Sequence, residues 1–301
     1  MAVLGLDVGG TKIRAAVAEG AEILACETVP TPDSFPGFRR AVTALAERLQ
    51  MRQGTAVQRV GVGIPGARLA DETCWVPNLP YLTGHRLAAD LSAWLGAPAA
   101  VENDAQLALL GECWLGAARG LQDVVLISIG TGIGGAILYG GRVCRGAHGG
   151  AGAFGWLQAG PGAPAEEPDT EGGHCVTFEG RAAGRALDQR SLTWRTGANG
   201  HELAAAVRAG DAKAAAVWRT WAKELADGIA ALASALDPQV ILVTGGLSGA
   251  FDLLSPAIEA AMQRRASPLV RQTPVAVAAL GENAPLYGAL RLAQTGGLER
   301  E

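Results

Sequence analysis

The 301-residue sequence has no long hydrophobic run, no cluster of basic residues and no paired cysteine motif. No apolar stretch approaches the ~20 residues of a membrane-spanning helix, and residues 1–3 enter a strand without a charged leader, so we expect neither a membrane span nor a signal peptide. The five cysteines are scattered without a C-x-x-C pair, which is typical of reduced thiols and disfavours a cysteine-ligated zinc site. These absences predict a cytoplasmic protein.

The charge balance disfavours two classes of partner. The formal net charge is −4, and the 25 Lys and Arg residues form no basic stripe, so we expect neither nucleic acid nor a membrane surface as a partner. Hydrophobic residues make up 49% of the chain and charged residues 18%, which is typical of a well-buried globular protein. A chain of this length can form two domains.

The sequence opens with a short apolar strand that ends in an acidic residue and a glycine turn. The residues of this turn, shortly after Asp7, are Gly9, Gly10, Thr11 and Lys12. Glycine lets a ligand approach the backbone and lets N–H groups point at an anion, while a carboxylate such as Asp7 can hold Mg²⁺ through water. Taken alone, the same residues are better explained by an ordinary β-hairpin turn.

The central feature of the sequence is an apolar strand, residues 99–101, that ends in short polar side chains before a helical run begins at Ala105. At the carboxyl end of a strand in an α/β sheet, Asn103 and Asp104 would face the crevice in which such sheets bind ligands. The Asp104 carboxylate could accept a proton from a substrate hydroxyl and act as a general base. The alternative is that Asn103 or Asp104 only caps the helix.

Two further candidate positions follow the strand that ends at residue 64. Gly66 comes directly after a proline at the strand end, and Asn78 lies in a loop between two prolines that restrict its backbone. The Asn78 amide can donate to and accept from a polyol. An ordinary Asx-turn explains Asn78 equally well.

The pattern of strand, glycine turn and strand occurs twice. Residues 124–138 repeat the arrangement of residues 3–18, with Thr131 and Gly132 in the second turn. A further close-approach turn at residues 245–246 follows a buried strand. A repeat at this long spacing predicts a duplicated α/β architecture. We predict a first lobe of residues 1–117, with a C-terminal helix within 285–301 packing back on it, and a second lobe of residues 118–284.

Taken in order, these motifs resemble those of the ROK family of sugar kinases, within the larger actin, Hsp70 and hexokinase superfamily. Residues 7–12 and 130–135 resemble its phosphate motifs, residues 102–105 its catalytic segment and residues 245–246 its adenosine-side turn. The resemblance implies duplicated actin-like (ribonuclease H-like) α/β lobes, each with a mixed sheet flanked by helices, and an ATP cleft between them. It also implies ATP-dependent phosphorylation of a hexose, usually at its 6-hydroxyl.

The resemblance further implies a role for each motif residue. Asp104 takes the proton from the attacking hydroxyl, and Asp7 positions Mg²⁺ through water. The residues predicted to bind the sugar are Asn103 and Glu179, which the resemblance implies, together with Asn78, Gly66 and Trp156. The residues implied to bind the nucleotide are Gly9, Gly10, Thr11, Lys12, Thr131, Gly132, Gly245 and Gly246. ATP and Mg²⁺ are the expected cofactors, and we expect a small-molecule sugar as substrate and a homodimer in solution.

The chain departs from the family pattern near residue 153. The family has Glu-x-Gly-His there, whereas this chain has Ala153 and Trp156, so a sugar-binding carboxylate and an imidazole that usually also ligates a structural zinc are both missing. An acidic, proline-rich insertion replaces the cysteine-containing zinc loop. The remaining candidates His148, His174 and Cys175 do not rebuild a tetrad. We therefore predict no structural zinc.

The same departures predict an altered sugar pocket. Glu179 keeps the family's spacing before residues 184–187 and could pair with the ammonium group of an amino sugar such as kanosamine. Trp156 could stack on the pyranose ring or act as an apolar plug in the vacated zinc corner. A conventional glucokinase and a catalytically weak sugar sensor are the alternatives. Retained Asp104 argues against a sensor, and we expect no winged-helix repressor domain because the first phosphate motif begins at Asp7.

Overall fold

The computed structural model describes residues 1–158 and 177–298 and shows a mixed α/β fold, as predicted. The strands in the first part of the chain are β1 (Ala2–Val8), β2 (Lys12–Glu19), β3 (Glu22–Pro30), β4 (Arg59–Ile64), β5 (Ala67–Arg68), β6 (Cys74–Trp75) and β7 (Ala99–Asn103). Five of them form a mixed sheet in the order β3-β2-β1-β4-β7. Strands β5 and β6 form a small antiparallel hairpin, although the sequence predicts a loop over residues 68–80.

The second five-stranded sheet repeats this topology. Its strands are β8 (Val124–Ile129), β9 (Ile133–Tyr139), β10 (Arg142–Val143), β11 (Val240–Thr244) and β12 (Val275–Val277). Their order across the sheet is β10-β9-β8-β11-β12. When the strands of each sheet are numbered along the chain, both sheets therefore have the order third, second, first, fourth, fifth. The repeated glycine turns thus lie at equivalent positions, each between the first two strands of its sheet.

Helices flank both sheets. The helices are α1 (Phe35–Gln53), α2 (Leu87–Leu95), α3 (Asp104–Leu115), α4 (Phe178–Ala182), α5 (Gly184–Trp194), α6 (Gly200–Arg208), α7 (Ala212–Leu236), α8 (Phe251–Arg265) and α9 (Ala284–Thr295). Apolar spacing predicts α2 and α7 with these bounds. The sequence predicts the start of α8 at Pro256, because proline is common in a first turn. The helix instead continues from a preceding 3-10 helix and contains Pro256 in its interior.

The described chain forms two compact units. Unit 1 contains residues 1–122, 136–151 and 279 onwards, and unit 2 contains residues 123–135 and 152–278. Residues 136–151, which the sequence assigns to the second lobe, therefore belong to unit 1. The predicted division into two lobes at residue 117 stays a prediction.

The core of unit 1 lies on both faces of its sheet. One face packs against α1 and α2, where Phe38, Val42, Leu45 and Leu49 repeat at the helical spacing seen in the sequence. The other face packs against α9, whose Leu286, Leu290 and Ala293 are buried against β1 and β2. In unit 2, the 25-residue α7 buries Trp218, Trp221 and Leu225 and packs against α5, α6 and α8.

Glycines allow α9 to pack closely in unit 1. A Cβ atom at Gly288 would lie 1.8 Å from the carbonyl oxygen of Leu107 in α3, and one at Gly61 would lie 1.9 Å from the carbonyl oxygen of Ala289. Both clashes involve backbone atoms, which no rotamer change can relieve. The position of α9 on the sheet and on α3 therefore requires these glycines.

We expect Gly288→Ala to lower the free energy of unfolding by about 3 kcal/mol, the upper end of the usual cost of overpacking, because α9 must move away from α3. Urea denaturation would measure the change. The matched control is Gly249→Ala, since a Cβ there meets nothing within 4 Å; it should change stability by less than about 0.5 kcal/mol. Equal effects of the two substitutions would contradict the close-packing explanation.

In the described ranges, no helix has both the length and the hydrophobicity that a membrane span requires.

Candidate active site

The first part of the candidate site is the junction of β7 and α3 in unit 1. Asn103 is the N-cap of α3, and its Oδ1 accepts hydrogen bonds from the N–H groups of Ala105 at 3.0 Å and Gln106 at 3.1 Å. Asp104 is the first residue of the helix. The capping role that the sequence leaves open between these residues therefore belongs to Asn103, and Asp104 is not the cap.

The carboxyl group of Asp104 has an unusual acidity. Its pKa is raised from 3.8 to about 7, mainly because the group is buried and also because the negative charge of Asp7 opposes its ionisation. A hydrogen bond from the N–H of Ala105 at 2.8 Å opposes this shift. A carboxyl group with a pKa near neutrality can both take up and release a proton at physiological pH, which suits general base catalysis.

Asp7 lies on β1, within the same unit. Burial raises the pKa of Asp7, while the positive charges of Arg14 and Lys12 lower it. Arg14 lies opposite Asp7 in the β1–β2 register. The Arg14 guanidinium donates to the carbonyl oxygen of Glu282 at 2.7 Å and to Oδ1 of Asn283. Sequence reasoning missed Arg14, although one arginine among the apolar residues of β2 is a visible signal.

The first glycine turn joins β1 to β2. The N–H of Gly9 donates to the carbonyl oxygen of Lys12 at 2.9 Å, and the Thr31 hydroxyl donates to the carbonyl oxygen of Gly9 at 2.7 Å. These bonds hold the turn as a hairpin. A Cβ at Gly10 would meet nothing within 4 Å, so one side of the turn is open to an approaching ligand.

The residues around this turn fit Mg²⁺ and phosphate. The Asp7 carboxylate is a ligand type that Mg²⁺ accepts together with retained waters. The open face at Gly10 and the nearby cations Lys12 and Arg14 suit a polyphosphate. These are the groups of unit 1 that could hold the metal and the nucleotide.

Gly66 follows the end of β4 and supports the same junction. Its carbonyl oxygen accepts a hydrogen bond from Asn103 Nδ2 at 2.8 Å. A Cβ at this position would lie 2.1 Å from the carbonyl oxygen of Trp75, so only glycine fits. Asn78 lies exposed between β6 and a 3-10 helix, Pro80–Leu82. Direct sugar contacts by Asn103, Gly66 and Asn78 stay predictions.

The second glycine turn belongs to unit 2 and joins β8 to β9. The N–H of Gly130 donates to the carbonyl oxygen of Gly132 at 2.9 Å, which closes the turn. The start of α5 supports it, since the N–H of Gly184 donates to the carbonyl oxygen of Gly130 at 2.8 Å. Thr131 is exposed at the tip. The turn is thus braced on one side and exposes a hydroxyl on the other.

Glu179 contacts this second turn. Its Oε2 accepts a hydrogen bond from the N–H of Ile133 at 2.7 Å, and a Cβ at Gly132 would lie 2.4 Å from the same oxygen. The carboxylate therefore closely approaches the backbone of the predicted phosphate turn. Its predicted contact with a sugar stays a prediction.

The predicted adenosine-side turn follows β11 in unit 2. Gly245 has φ +89°, and a Cβ there would lie 2.5 Å from the carbonyl oxygen of Ile129, so both its conformation and its surroundings require glycine. A Cβ at Gly246 would meet nothing within 4 Å. The open face of Gly246 leaves room for a flat ligand against the backbone.

Trp156 does not fill a buried corner. Its side chain is 66% exposed, so the alternative of an apolar plug is wrong. Stacking on a sugar ring stays a prediction.

The acidic insertion, His174 and Cys175 lie outside the described residues. Within 1–158 and 177–298, no group of three or more His, Cys, Asp or Glu side chains could hold a metal ion, and the expected lack of structural zinc stays a prediction.

The raised pKa of Asp104 predicts a pH-dependent stability effect. The folded-state pKa of about 7 exceeds the ordinary value of 3.8. The free energy of unfolding therefore falls as pH rises between these two values, and the full loss is present above pH 7. A pKa shift of about three units lowers the free energy of unfolding by at most about 4 kcal/mol. We expect Asp104→Asn to stabilise the protein by about 2 kcal/mol at pH 8 and very little below pH 4.

Denaturant titrations at pH 4 and pH 8 would measure this difference in the free energy of unfolding. Asp33→Asn, at an exposed position, is the control and should have little effect at either pH. A gain from Asp104→Asn that is the same at both pH values would contradict burial of the ionised carboxylate.

The model of the ROK family matches residues 3–296. The bifunctional enzyme NanE/NanK of Brucella melitensis is 35% identical over 97% of this chain, and the chain spans only about half, 54%, of that relative. The N-acetyl-D-glucosamine kinase of Vibrio vulnificus is 31% identical, with 83% of this chain and 85% of the relative covered.

A solved structure shares the fold across the whole chain. The ROK family glucokinase from Streptomyces griseus, in complex with glucose and AMPPNP, has a TM-score of 0.78 and 32% identity. The similarity covers 98% of this chain and 100% of the glucokinase. Together with the family match, this likeness confirms the resemblance to the ROK family that the motifs indicate. The chain belongs to the ROK family.

Proposed function

We propose that this protein is an ATP-dependent hexose kinase that phosphorylates the 6-hydroxyl of a glucose-like sugar. The observation that carries the proposal is the Asp104 carboxyl group, whose pKa of about 7 places a base at the first residue of α3. The glycine turns at Gly10 and Gly246 have open faces that suit phosphate and adenosine. The likeness to a glucokinase with bound glucose and AMPPNP supports the same activity.

In this reaction the chain supplies a base, oriented hydrogen-bond donors and positive charge. Asp104 takes the proton of the attacking 6-hydroxyl, and Asn103, fixed by its cap and by Gly66, orients the sugar. Lys12, Thr11 and the first turn are the proposed nucleotide-binding groups of unit 1, and the second turn and Gly245–Gly246 are those of unit 2. Phosphoryl transfer depends mainly on such positioning and on charge neutralisation. Mg²⁺ held through Asp7 and water would neutralise phosphate oxygens when bound.

Within the hexoses, we propose an amino sugar such as kanosamine, with glucose as the alternative. Ala153 removes the carboxylate that the family places there, whereas Glu179 retains one. One relative is an N-acetyl-D-glucosamine kinase, so the family includes enzymes for nitrogen-bearing sugars. A protonated amino group near Glu179 would gain a charge-assisted hydrogen bond that glucose does not offer. The exposed Trp156 supplies an aromatic face for the sugar.

A panel of sugars with a coupled assay for ADP tests the proposal. Glucose, kanosamine, glucosamine, N-acetylglucosamine and N-acetylmannosamine would each be assayed with ATP and Mg²⁺, and ³¹P NMR would identify the phosphorylated hydroxyl. We expect kcat/KM to be highest for an amino sugar. An equal or higher kcat/KM for glucose would overturn the amino-sugar proposal and leave a conventional glucokinase.

The sensor alternative makes a different prediction for the same panel. A catalytically weak sensor would bind sugar in a titration without releasing ADP, and Asp104→Asn would change neither measurement.

We also propose a cytoplasmic location and a homodimer, and light scattering of the purified chain would measure its mass.

A further inference from the structure

The strand that leads to Asp104 is an edge strand. In unit 1, β7 is the last strand in its sheet and pairs with β4 on one side only. Its other side borders a cavity of about 450 Å³, lined partly by residues 99–102. The backbone groups on an open strand edge need partners other than a neighbouring strand. The position of the β7 end therefore depends on what contacts this edge.

Arg68 supplies such a contact. Its Nε donates to the carbonyl oxygen of Val101 at 3.1 Å, and its Nη2 donates to Oε1 of Glu102 at 2.7 Å. Its Nη1 donates at 2.7 Å to the exposed Glu72. Burial lowers the pKa of Arg68, but the hydrogen bonds with Glu102 and Glu72 outweigh this effect and raise it. One guanidinium thus binds both the backbone and the side chain of β7.

Arg145 completes the arrangement from a second segment of unit 1. Its Nε lies 3.3 Å from Oε2 of Glu102, and its Nη2 donates to the carbonyl oxygen of Arg68 at 2.7 Å. Glu102 is only 5% exposed. A buried carboxylate between two guanidinium groups is strongly held, because removing one partner leaves uncompensated buried charge. We call Arg68, Glu102 and Arg145 the edge bridge.

We propose that Glu102, through the edge bridge, is a positioning residue for the Asp104 base. The bridge binds one carbonyl group and one side chain on the free edge of β7, and it acts two residues before Asp104. Asn103 lies between Glu102 and Asp104 and links their positions, because it caps α3 and its side chain binds Gly66. A displacement of about 1 Å in a reacting group can cost about 10²-fold in rate. The proposal rests on the function proposed above.

The test compares two glutamates that bind the same arginine. Glu102→Gln removes the buried charge with little change in volume, whereas the matched control Glu72→Gln removes the exposed partner. We expect Glu102→Gln to lower kcat by about tenfold while KM for the sugar changes less than about threefold, because the base is misplaced and the binding groups remain. Glu72→Gln should leave kcat within about twofold.

Hydrogen exchange provides a second readout that needs no activity. In Glu102→Gln, the amide protons of residues 101–107 should exchange faster than in the wild type, whereas Glu72→Gln should leave them unchanged. If Glu102→Gln does not fold, Arg145→Lys replaces it. This variant keeps the charge but cannot make both Arg145 contacts at once, so it should show the same effects to a smaller degree.

The outcomes separate the two proposals. Unchanged exchange at residues 101–107, or unchanged kcat with normal folding, would overturn the positioning role. Faster exchange would also overturn it if the fold increase in the sugar KM exceeded the fold decrease in kcat, since that result indicates a binding role. A wild-type protein without sugar-dependent ADP release would instead overturn the proposed function, and exchange alone would then decide whether the bridge holds β7.

Discussion

Replacing Asp104 with asparagine is expected to lower kcat by about 10³-fold, within the range usually lost with a general base. Asparagine has nearly the same size and can still accept the hydrogen bond from the N–H of Ala105, so the fold of the junction should persist. It cannot take the proton of the attacking hydroxyl. Steady-state measurement of sugar-dependent ADP release, with the best sugar of the panel, would give the loss.

The binding affinities distinguish lost catalysis from lost structure. Titration calorimetry should give dissociation constants for the sugar and for an ATP analogue within about threefold of the wild type, because Asp104 acts mainly on the transferred proton. Asp33→Asn, at an exposed position, should leave kcat unchanged. A loss of kcat below about tenfold in Asp104→Asn would show that another group takes the proton.

Replacing Glu112 with alanine is expected to cause the largest loss of stability, about 4 kcal/mol. Glu112 is 0% exposed in α3. Its carboxylate accepts hydrogen bonds from the N–H groups of Ala117 at 2.7 Å, Ala279 at 3.1 Å and Leu280 at 2.7 Å. Removing it leaves three N–H groups of unit 1 without their acceptor, and each buried unsatisfied group costs about 1–3 kcal/mol before any water enters.

Glu112→Gln separates the hydrogen bonds from the packing. Its amide oxygen can replace only one carboxylate oxygen, so we expect about half of the loss seen for alanine. Urea denaturation at pH 7 would measure both variants, with Glu47→Ala, an exposed position on α1, as the control. A loss below about 1 kcal/mol for Glu112→Ala would show that water satisfies the three N–H groups.

The elements with a strong apolar period were predictable from the sequence. Helices α2 and α7 begin and end at the predicted residues, since their apolar spacing and their ends are local properties of the chain. The repeated glycine turns predicted a duplicated α/β architecture, and the two five-stranded sheets have the same strand order. The hairpin of β5 and β6 was not predicted, because its two-residue strands are too short to show a period.

The candidate site was predictable where a motif is contiguous. Asp7 and Asp104 were identified from short segments that combine a strand end with a glycine turn or a helix start. The sequence could not assign the cap of α3 to Asn103 rather than to Asp104, because both are good capping residues and only the backbone geometry distinguishes them. The exposure of Trp156 likewise depends on its surroundings.

The sequence by itself determined the elements with a strong apolar period, the repeat and the family, and it marked Asp7 and Asp104 as candidates, since each of these depends on residues close together in the chain. Only the tertiary structure decided that Glu102 lies between Arg68 and Arg145, that Glu112 binds the N–H of Leu280, and that Asp104 has a pKa of about 7. These properties depend on burial and on contacts between residues distant in sequence. Charged side chains read identically in a sequence whether they face water or one another, and folding alone distinguishes the two.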